Sequence, residues 1–598
     1  MDYKFIPLLL KDRIATYGER TALGYKDKVL NSWLTISWNE MGRRIDSISR
    51  ALIHADVGEQ EMVGIFSNNM PEWTISDFAL MNVRAVSIPI YSTDPVSSVS
   101  YIIRETEMKL IFVGEQEQYN KILQVIAESG NELKIVVFDE RVDLKDYKNA
   151  LYFKQFYADE ADAETDQIIQ NRLNSLTTED ITTILYTSGT TGEAKGVVLL
   201  YRNFDSFLKI HDAYLTKVDD KDISLAFLPL SHIFERAWTL FALHKGVTIN
   251  YLSNPAGVVE ALKVIQPTMM CTVPRFFEKI YNVINEKVAT SSVVKRRIFR
   301  WAFRVGKRVM NYNRQGKTAP LHDRMLLKIA DKLVLAKGRE AFGGRIRYMP
   351  CSGAMLPDNI NIFFQSAGVH IIYAYGMTET LATVTAYPFI NYKFGTVGKP
   401  LPFIDIKIGE GGEILIKEDS LFKEYYKKPE ETKQAFVDGW FRTGDAGEFD
   451  NDGNLIMKER IKDLIKTSGG KYVAPQLIES VISAEPFIEQ VVVIGDERKY
   501  LTALIVPSFQ ALEEYAEKLK IEFKTREELI NHSKIVQMMK EKLHKVQKDL
   551  ASYQKVKKFK LLHTEFSIHT GEFTSTLKIK RRIIAQKFKK FIDEMYKD

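Results

Sequence analysis

The sequence predicts an α/β protein. It has a large N-terminal domain of mostly parallel sheets covered by helices, followed by a small α+β domain. Three observations predict this. At 598 residues the chain is too long for one core, so at least two domains are expected. Its first third alternates short apolar runs with longer amphipathic segments, the pattern of parallel strands joined by helical crossovers. Near Lys462 this alternation gives way to two apolar runs set among highly charged helical segments.

In chain order, Met62–Phe66, Ala85–Pro89, Leu110–Val113 and Ile135–Phe138 are strand candidates, short and rich in β-branched residues. The amphipathic stretches Trp38–Ala55 and Pro71–Asn82 are the helices between them. The pattern resumes at Met269–Val273, Ile346–Met349 and His370–Tyr373. In the small domain Val491–Ile494 and Leu501–Val506 read as strands and Lys540–Ser552 as a helix. In sheets of this kind ligands bind beyond the carboxyl ends of the strands. The turns that follow the predicted strands are therefore where chemistry is expected.

Composition sets bounds. A hydrophobic content of 45% with 27% charged residues describes an ordinary globular protein. No run of about 18 apolar residues is present, so a spanning helix is not expected. The N-terminal apolar stretch is too short for a secretory signal. Cys271 and Cys351 are the only cysteines, which excludes a disulfide framework and fits a reducing cytoplasm. A net charge of +6 is modest for this length and does not argue for nucleic acid.

The most informative turn follows the apolar run Ile181–Leu185. Thr187, Ser188, Gly189, Thr190, Thr191, Gly192 and Lys195 crowd glycines, hydroxyls and a cation into one loop. Glycines allow close backbone approach to an anion, and N–H groups and hydroxyls then surround phosphate oxygens. The loop points to a nucleoside triphosphate, although the spacing does not fit G-x-x-x-x-G-K-[ST].

This loop resembles the phosphate loop of adenylate-forming enzymes. The similarity continues in order through Tyr375-Gly376-Met377-Thr378-Glu379-Thr380, Gly439 to Asp445, Arg460 to Lys466, and Thr576 to Arg582. The runs Pro229–Arg236 and Val273–Tyr281 resemble the long-chain fatty acid–CoA ligase branch. The resemblance implies ATP and Mg²⁺ as cofactors and coenzyme A as co-substrate, with Thr187 to Lys195 holding the β- and γ-phosphates. It implies that Thr378 contacts the α-phosphate, Glu379 ligates Mg²⁺, and Tyr375 and Gly376 lie beside adenine. Ser352, Gly353 and Ala354 would line the pocket between adenine and acyl group, and Asp445 and Arg460 would hold the ribose. His232 would sit near the acyl carboxylate. Register singles out Lys578 rather than Lys580 as the catalytic lysine. A compact ammonium on a flexible stem suits bridging carboxylate and α-phosphate oxygens.

The resemblance also implies a boundary, with residues 1–461 binding ATP and acid and residues 462–598 forming a mobile domain that carries Lys578. Lys462 would be the hinge, and Gly469, Gly470 and Lys471 would approach pantetheine in the thioester-forming step. The sequence departs from the family's pattern at Lys417–Asp419, Glu424, Glu459 and Leu577, placing local loop geometry rather than the chemistry in question.

One segment stands apart. Residues 287–314 carry nine Lys/Arg and no Asp or Glu, interleaved with aliphatic and aromatic residues, within a helical insertion at about 285–340. Two readings are open: an amphipathic helix on an anionic membrane surface, or a helical hairpin packed on the domain by its apolar face. The expected function is long-chain fatty acid–CoA ligation in the cytoplasm, with peripheral membrane association. Two rivals remain: a fatty acyl-AMP ligase that loads a carrier protein, and a non-catalytic lipid-binding relative.

Overall fold

A computed structural model describes residues 5–130, 132–158, 162–187, 194–468, 471–568, 570–574 and 578–597, all but the side chain of Lys462. An eight-stranded sheet orders Glu424–Tyr425, Lys195–Leu200, Ile181–Thr187, Val86–Ile90, Met62–Phe66, Leu110–Val113, Lys134–Val137 and Ala150–Tyr152. From Ile181–Thr187 to Ala150–Tyr152 every pairing is parallel, and the two strands at the other edge are antiparallel. Val86–Ile90 and Leu110–Val113 are buried along their whole length, which is why they read as continuous apolar runs rather than alternating ones. The helices between them start where local chemistry permits. Ser37 accepts from the Glu40 amide to cap Trp38–His54, and Pro71 opens Pro71–Asn82.

A second sheet orders Ile223–Ala226, Thr248–Tyr251, Thr21–Lys26 and Trp33–Ser37, and a third orders Met349–Cys351, Ile371–Tyr375, Thr385–Ala386 and Lys399–Pro400. Met269 bridges Ser224 on one side and Tyr348 on the other, joining the two. The expected strand at Met269–Val273 is reduced to bridges at Met269 and Thr272, because Pro267 and the helix-opening Pro274 leave little chain free to pair. An antiparallel sheet that the sequence reading did not anticipate closes the large domain. In it Trp440–Phe449 pairs with Glu413–Lys417, Phe436–Val437 and Leu455–Arg460.

The large hydrophobic core ends at Leu455, and a separate core runs from Ile465 to Met595. The second core is built on Ile488–Ile494, Leu501–Pro507 and Val556–Leu561. The last strand escaped sequence reading because three lysines interrupt its apolar residues. The helix expected at Lys540–Ser552 lies at Ser533–Val546, started by His532, whose ring accepts from the Lys534 amide.

The basic segment forms the helix Val293–Arg314, which buries Ala302, Val305, Gly306, Val309 and Met310. A Cβ at Gly306 would lie 2.2 Å from the Ser366 carbonyl oxygen, so glycine permits the helix to press against the end of Asp358–Ser366. Phe303 stacks on Phe363 at 4.2 Å. The middle of the helix thus packs by its apolar face, while Val293, Val294 and Ile298 near its start stay exposed.

Candidate active site

The site is assembled from strand ends, as parallel topology requires. Tyr375 ends the strand Ile371–Tyr375, and Ser352 directly follows Met349–Cys351. Gly376 turns the chain where nothing larger fits, since a Cβ there would lie 1.5 Å from the Ala382 carbonyl oxygen. The turn leads into the single-turn helix Thr378–Thr380, which leaves Thr378 half-buried and Glu379 buried. Tyr425, on the antiparallel edge of the large sheet, donates its hydroxyl to Glu379 Oε1 at 2.9 Å. Lys195 Nζ lies 4.7 Å from the centre of the same ring. Tyr425 thus ties the start of the strand after the phosphate loop to Glu379. The sequence offered no signal for this role, because Tyr425 lies far from both motifs in the chain.

Thr187 and Lys195 face each other across the antiparallel pair that flanks the phosphate loop. Ser188, Gly189, Thr190, Thr191 and Gly192 lie outside the described residues, as do Gly469 and Gly470. Gly353 and Ala354 are exposed next to buried Ser352.

Asp445 sits opposite Arg460 in the register of the antiparallel sheet. Its carboxylate accepts from the Tyr375 hydroxyl at 2.7 Å and lies 3.5 Å from Arg460 Nε. Burial pushes the Asp445 carboxyl up, against the pull of Arg460 and the Tyr375 hydrogen bond. Burial, then the Asp445 charge, pushes the Tyr375 hydroxyl far above its usual range, so it stays a donor. Tyr375 is therefore held by its hydroxyl, with most of the residue covered.

His232 caps the helix Ile233–His244, its Nδ1 accepting from the Phe234 amide at 3.2 Å. Burial, with Lys578 adding repulsion, lowers its pKa to about 4. The imidazole is neutral, and with Nδ1 used as acceptor its proton resides on Nε2.

Lys578 reaches this cluster from the small domain. Its amide donates to Thr574 Oγ1 at 3.0 Å and its carbonyl accepts from the Thr574 amide at 2.9 Å, next to an antiparallel bridge between Phe573 and Ile579. The residue as a whole keeps solvent access, yet its ammonium lies within electrostatic reach of large-domain charges. Loss of surrounding water and then Arg460 lower its pKa, while Asp445, Glu379 and Asp463 raise it. Lys462 lies in the short helical turn Ile461–Asp463 that joins the two cores. Lys471 is exposed on the hairpin of Ile465–Lys466 and Tyr472–Val473, and its amide donates to Thr467 Oγ1.

Glu379, Asp445, Arg460, His232 and Lys578 are therefore brought together, whereas Lys471 stands on a separate exposed loop. Among the described residues no group of three His, Cys, Asp or Glu could hold a metal on its own. A single buried carboxylate such as Glu379 instead suits Mg²⁺ that arrives with a polyphosphate and keeps its waters.

Known proteins resemble this chain along most of its length. Residues 10–426 match the AMP-binding enzyme family and residues 462–598 match the AMP-binding enzyme C-terminal domain. The chain is 32% identical over 588 residues to the long-chain-fatty-acid–CoA ligase FadD15 of Mycobacterium tuberculosis, covering 96% of this chain and 94% of the relative. It is 29% identical to long chain acyl-CoA synthetase 3 of Arabidopsis thaliana, covering 94% and 87% of the two chains. The fold is shared with the adenylation domain of a carboxylate reductase from Mycobacterium chelonae. That match has a TM-score of 0.77 at 21% identity, covering 100% of this chain and 91% of the other. The chain belongs to the AMP-binding enzyme family, in the acyl-CoA synthetase branch of the adenylate-forming enzymes.

Proposed function

We propose that this protein joins long-chain fatty acids to coenzyme A in two steps, with ATP consumed to AMP and pyrophosphate. The observation that carries the reading is the cluster of Glu379 held by Tyr425 and Asp445 held by Tyr375 beside Arg460, with Lys578 of the small domain within electrostatic reach of it. In the first step the acid's carboxylate oxygen attacks the α-phosphorus and pyrophosphate leaves. Two anions must meet, so the protein's task is positioning and charge neutralisation. Lys578 supplies a cation between carboxylate and α-phosphate, and Lys195 another at the outer phosphates. Asp445 and Arg460 hold the ribose, with the Tyr375 hydroxyl fixing the Asp445 carboxylate. Neutral His232, with its proton on Nε2, is a donor for the acyl carboxylate. Glu379, oriented by Tyr425, would hold the Mg²⁺ that neutralises the polyphosphate.

In the second step the thiol of coenzyme A loses its proton, attacks the acyl carbon and expels AMP. We assign residues 462–598 to a domain that reorients about Lys462 between the steps, exchanging Lys578 for the loop that carries Lys471. The extended similarity to proteins named for long-chain acids and coenzyme A favours this substrate pair over a carrier-protein acceptor. Products formed with ATP, Mg²⁺, coenzyme A and acids from acetate to oleate, identified by mass spectrometry, test this. Acyl-CoA from long acids alone is expected. Accumulated acyl-adenylate without thioester would instead identify a carrier-loading enzyme.

A second reading concerns where the acid is collected. The apolar face of Val293–Arg314 is covered from Ala302 to Met310 but open at Val293, Val294 and Ile298, and the next helical stretch shows Leu321, Met325, Ile329 and Leu333 to solvent, each 51–67% exposed and spaced every fourth residue. Exposed Arg324, Lys328 and Lys332 flank this stripe, and Lys295, Arg297, Arg300, Arg304 and Lys307 extend the basic surface. Asp323 and Asp331 are paired within the insertion, to Arg308 and Arg339. An apolar stripe framed by cations suits a peripheral contact with anionic lipid, where each Lys/Arg contributes about 1 kcal/mol. No described helix is long and apolar enough to cross a membrane. Co-sedimentation with phosphatidylglycerol vesicles is expected to exceed that with phosphatidylcholine and to fall several-fold in Met325→Glu/Ile329→Glu. Equal pelleting of both proteins with both vesicles would refute the contact.

A further inference from the structure

The last two residues of the strand Leu455–Arg460, Glu459 and Arg460, are charged and face opposite ways, as successive strand residues do. Arg460 turns to Asp445 in the site. Glu459 is buried and turns to the small domain, where Oε2 accepts from the Gln476 amide at 3.1 Å while Oε1 accepts from the Arg460 amide. Gln476 is the second residue of the helix Pro475–Ser483, so the Glu459 carboxylate occupies the N-terminus of that helix. An anion is favoured there by the unpaired amides and the helix dipole.

The same helix holds the segment that bears Lys578. Arg581, three residues beyond the lysine, forms a two-pronged ion pair with Glu479 at 2.5 and 2.6 Å. Glu479 Oε1 also accepts from the Val493 amide at 2.7 Å, anchoring the pair to the small-domain sheet. A continuous series of short polar contacts thus runs from the last strand of the large domain, through one helix, to the segment of the catalytic lysine. Burial raises the Glu459 carboxyl to about 7, offset in part by the Gln476 and Arg460 amides and by Arg581. A smaller or apolar residue would avoid that burial, and the family resemblance gives this position no role.

We propose that Glu459 is a positioning residue that clamps the small domain, and with it Lys578, in the adenylating orientation by capping the helix Pro475–Ser483. The proposal rests on the two-step reading above and adds the contact that sets the balance between its two orientations. Loss of the clamp weakens adenylation and leaves thioester formation unimpaired, because the second step uses the other orientation.

The orientation can be read without turnover. Arg275 of the large domain and Glu489 of the small one form an exposed ion pair at 3.1 Å. Cysteines introduced at both positions report this orientation through the rate of bridging by a short bis-maleimide. In Glu459→Ala that rate is expected to fall about two- to tenfold, the range of one typical intramolecular hydrogen bond. Acid-dependent ATP–pyrophosphate exchange should fall by a similar factor, while acyl-CoA formation from supplied acyl-adenylate is unchanged or faster. Glu459→Gln keeps an acceptor and should restore most of the exchange and of the bridging rate, with both variants checked for an unchanged melting temperature. If the alanine variant does not fold, Glu459→Asp, which withdraws the oxygens by one methylene, must show the same split. Unchanged bridging in a folded variant, or equal loss of both half-reactions, would overturn the clamp. If no acid supports exchange even with Glu459 in place, the substrate reading fails while bridging still judges the clamp.

Discussion

Lys578→Ala is expected to slow acyl-adenylate formation by roughly 10²–10³-fold, the loss seen when one preorganised group that stabilises developing charge is removed. Its ammonium lies within electrostatic reach of Asp445, Glu379 and Arg460 together. Its backbone is held by contacts with Thr574, which the substitution leaves in place. Folding should therefore be unaffected and the melting temperature unchanged. Acid-dependent pyrophosphate exchange measures the first step, and thioester formation from synthetic acyl-adenylate measures the second. The second should retain most of its rate. Loss of both steps together would place Lys578 in the architecture rather than in the chemistry, and retention of the first would return the role to Lys580.

Lys462→Pro should produce the opposite split. Residue 462 lies in the short turn Ile461–Asp463 between the two hydrophobic cores, where few residues join the domains. Proline fixes φ near −65° and removes the amide donor, so the turn loses the freedom that reorientation needs. The orientation seen here places Lys578 at the site, and a chain held in it should continue to form acyl-adenylate. Acyl-CoA formation should fall by on the order of 10²-fold or more, as expected when a conformational step is blocked. Acyl-adenylate would then accumulate on the protein and be detectable by mass spectrometry. Equal loss of both steps would refute the hinge. Together with Glu459→Ala, the two variants separate a missing charge, a frozen hinge and a loosened clamp by their half-reactions.

The sequence by itself determined the class of chemistry and most of the large domain. Runs such as Val86–Ile90 and Leu110–Val113 are legible because a strand buried on both faces must be apolar throughout. Pro71 and Ser37 mark helix starts because the first turn's amides need a partner or a residue that lacks one. The phosphate loop was legible from its own composition, whereas Gly376, Glu379, Asp445, Arg460 and Lys578 were named because the motifs around them resemble those of adenylate-forming enzymes. Strand Val556–Leu561 was not legible, because its lysines are tolerated only where a neighbouring strand and helix cover the remaining residues.

Tertiary structure alone decided what each motif residue meets. It set Asp445 opposite Arg460 across an antiparallel pair and brought Tyr425 to Glu379 over a separation of 46 residues. It turned Ala302, Val305 and Val309 of Val293–Arg314 inward and left the stripe at Leu321–Leu333 outside. It also gave Glu459, which in the sequence is only a departure from the family's pattern, a helix N-terminus to hold. Local composition fixes what a residue can do, but pairing register and packing between distant segments fix which partner it has. Those are set by the whole chain's burial of apolar surface, which no short window of sequence contains.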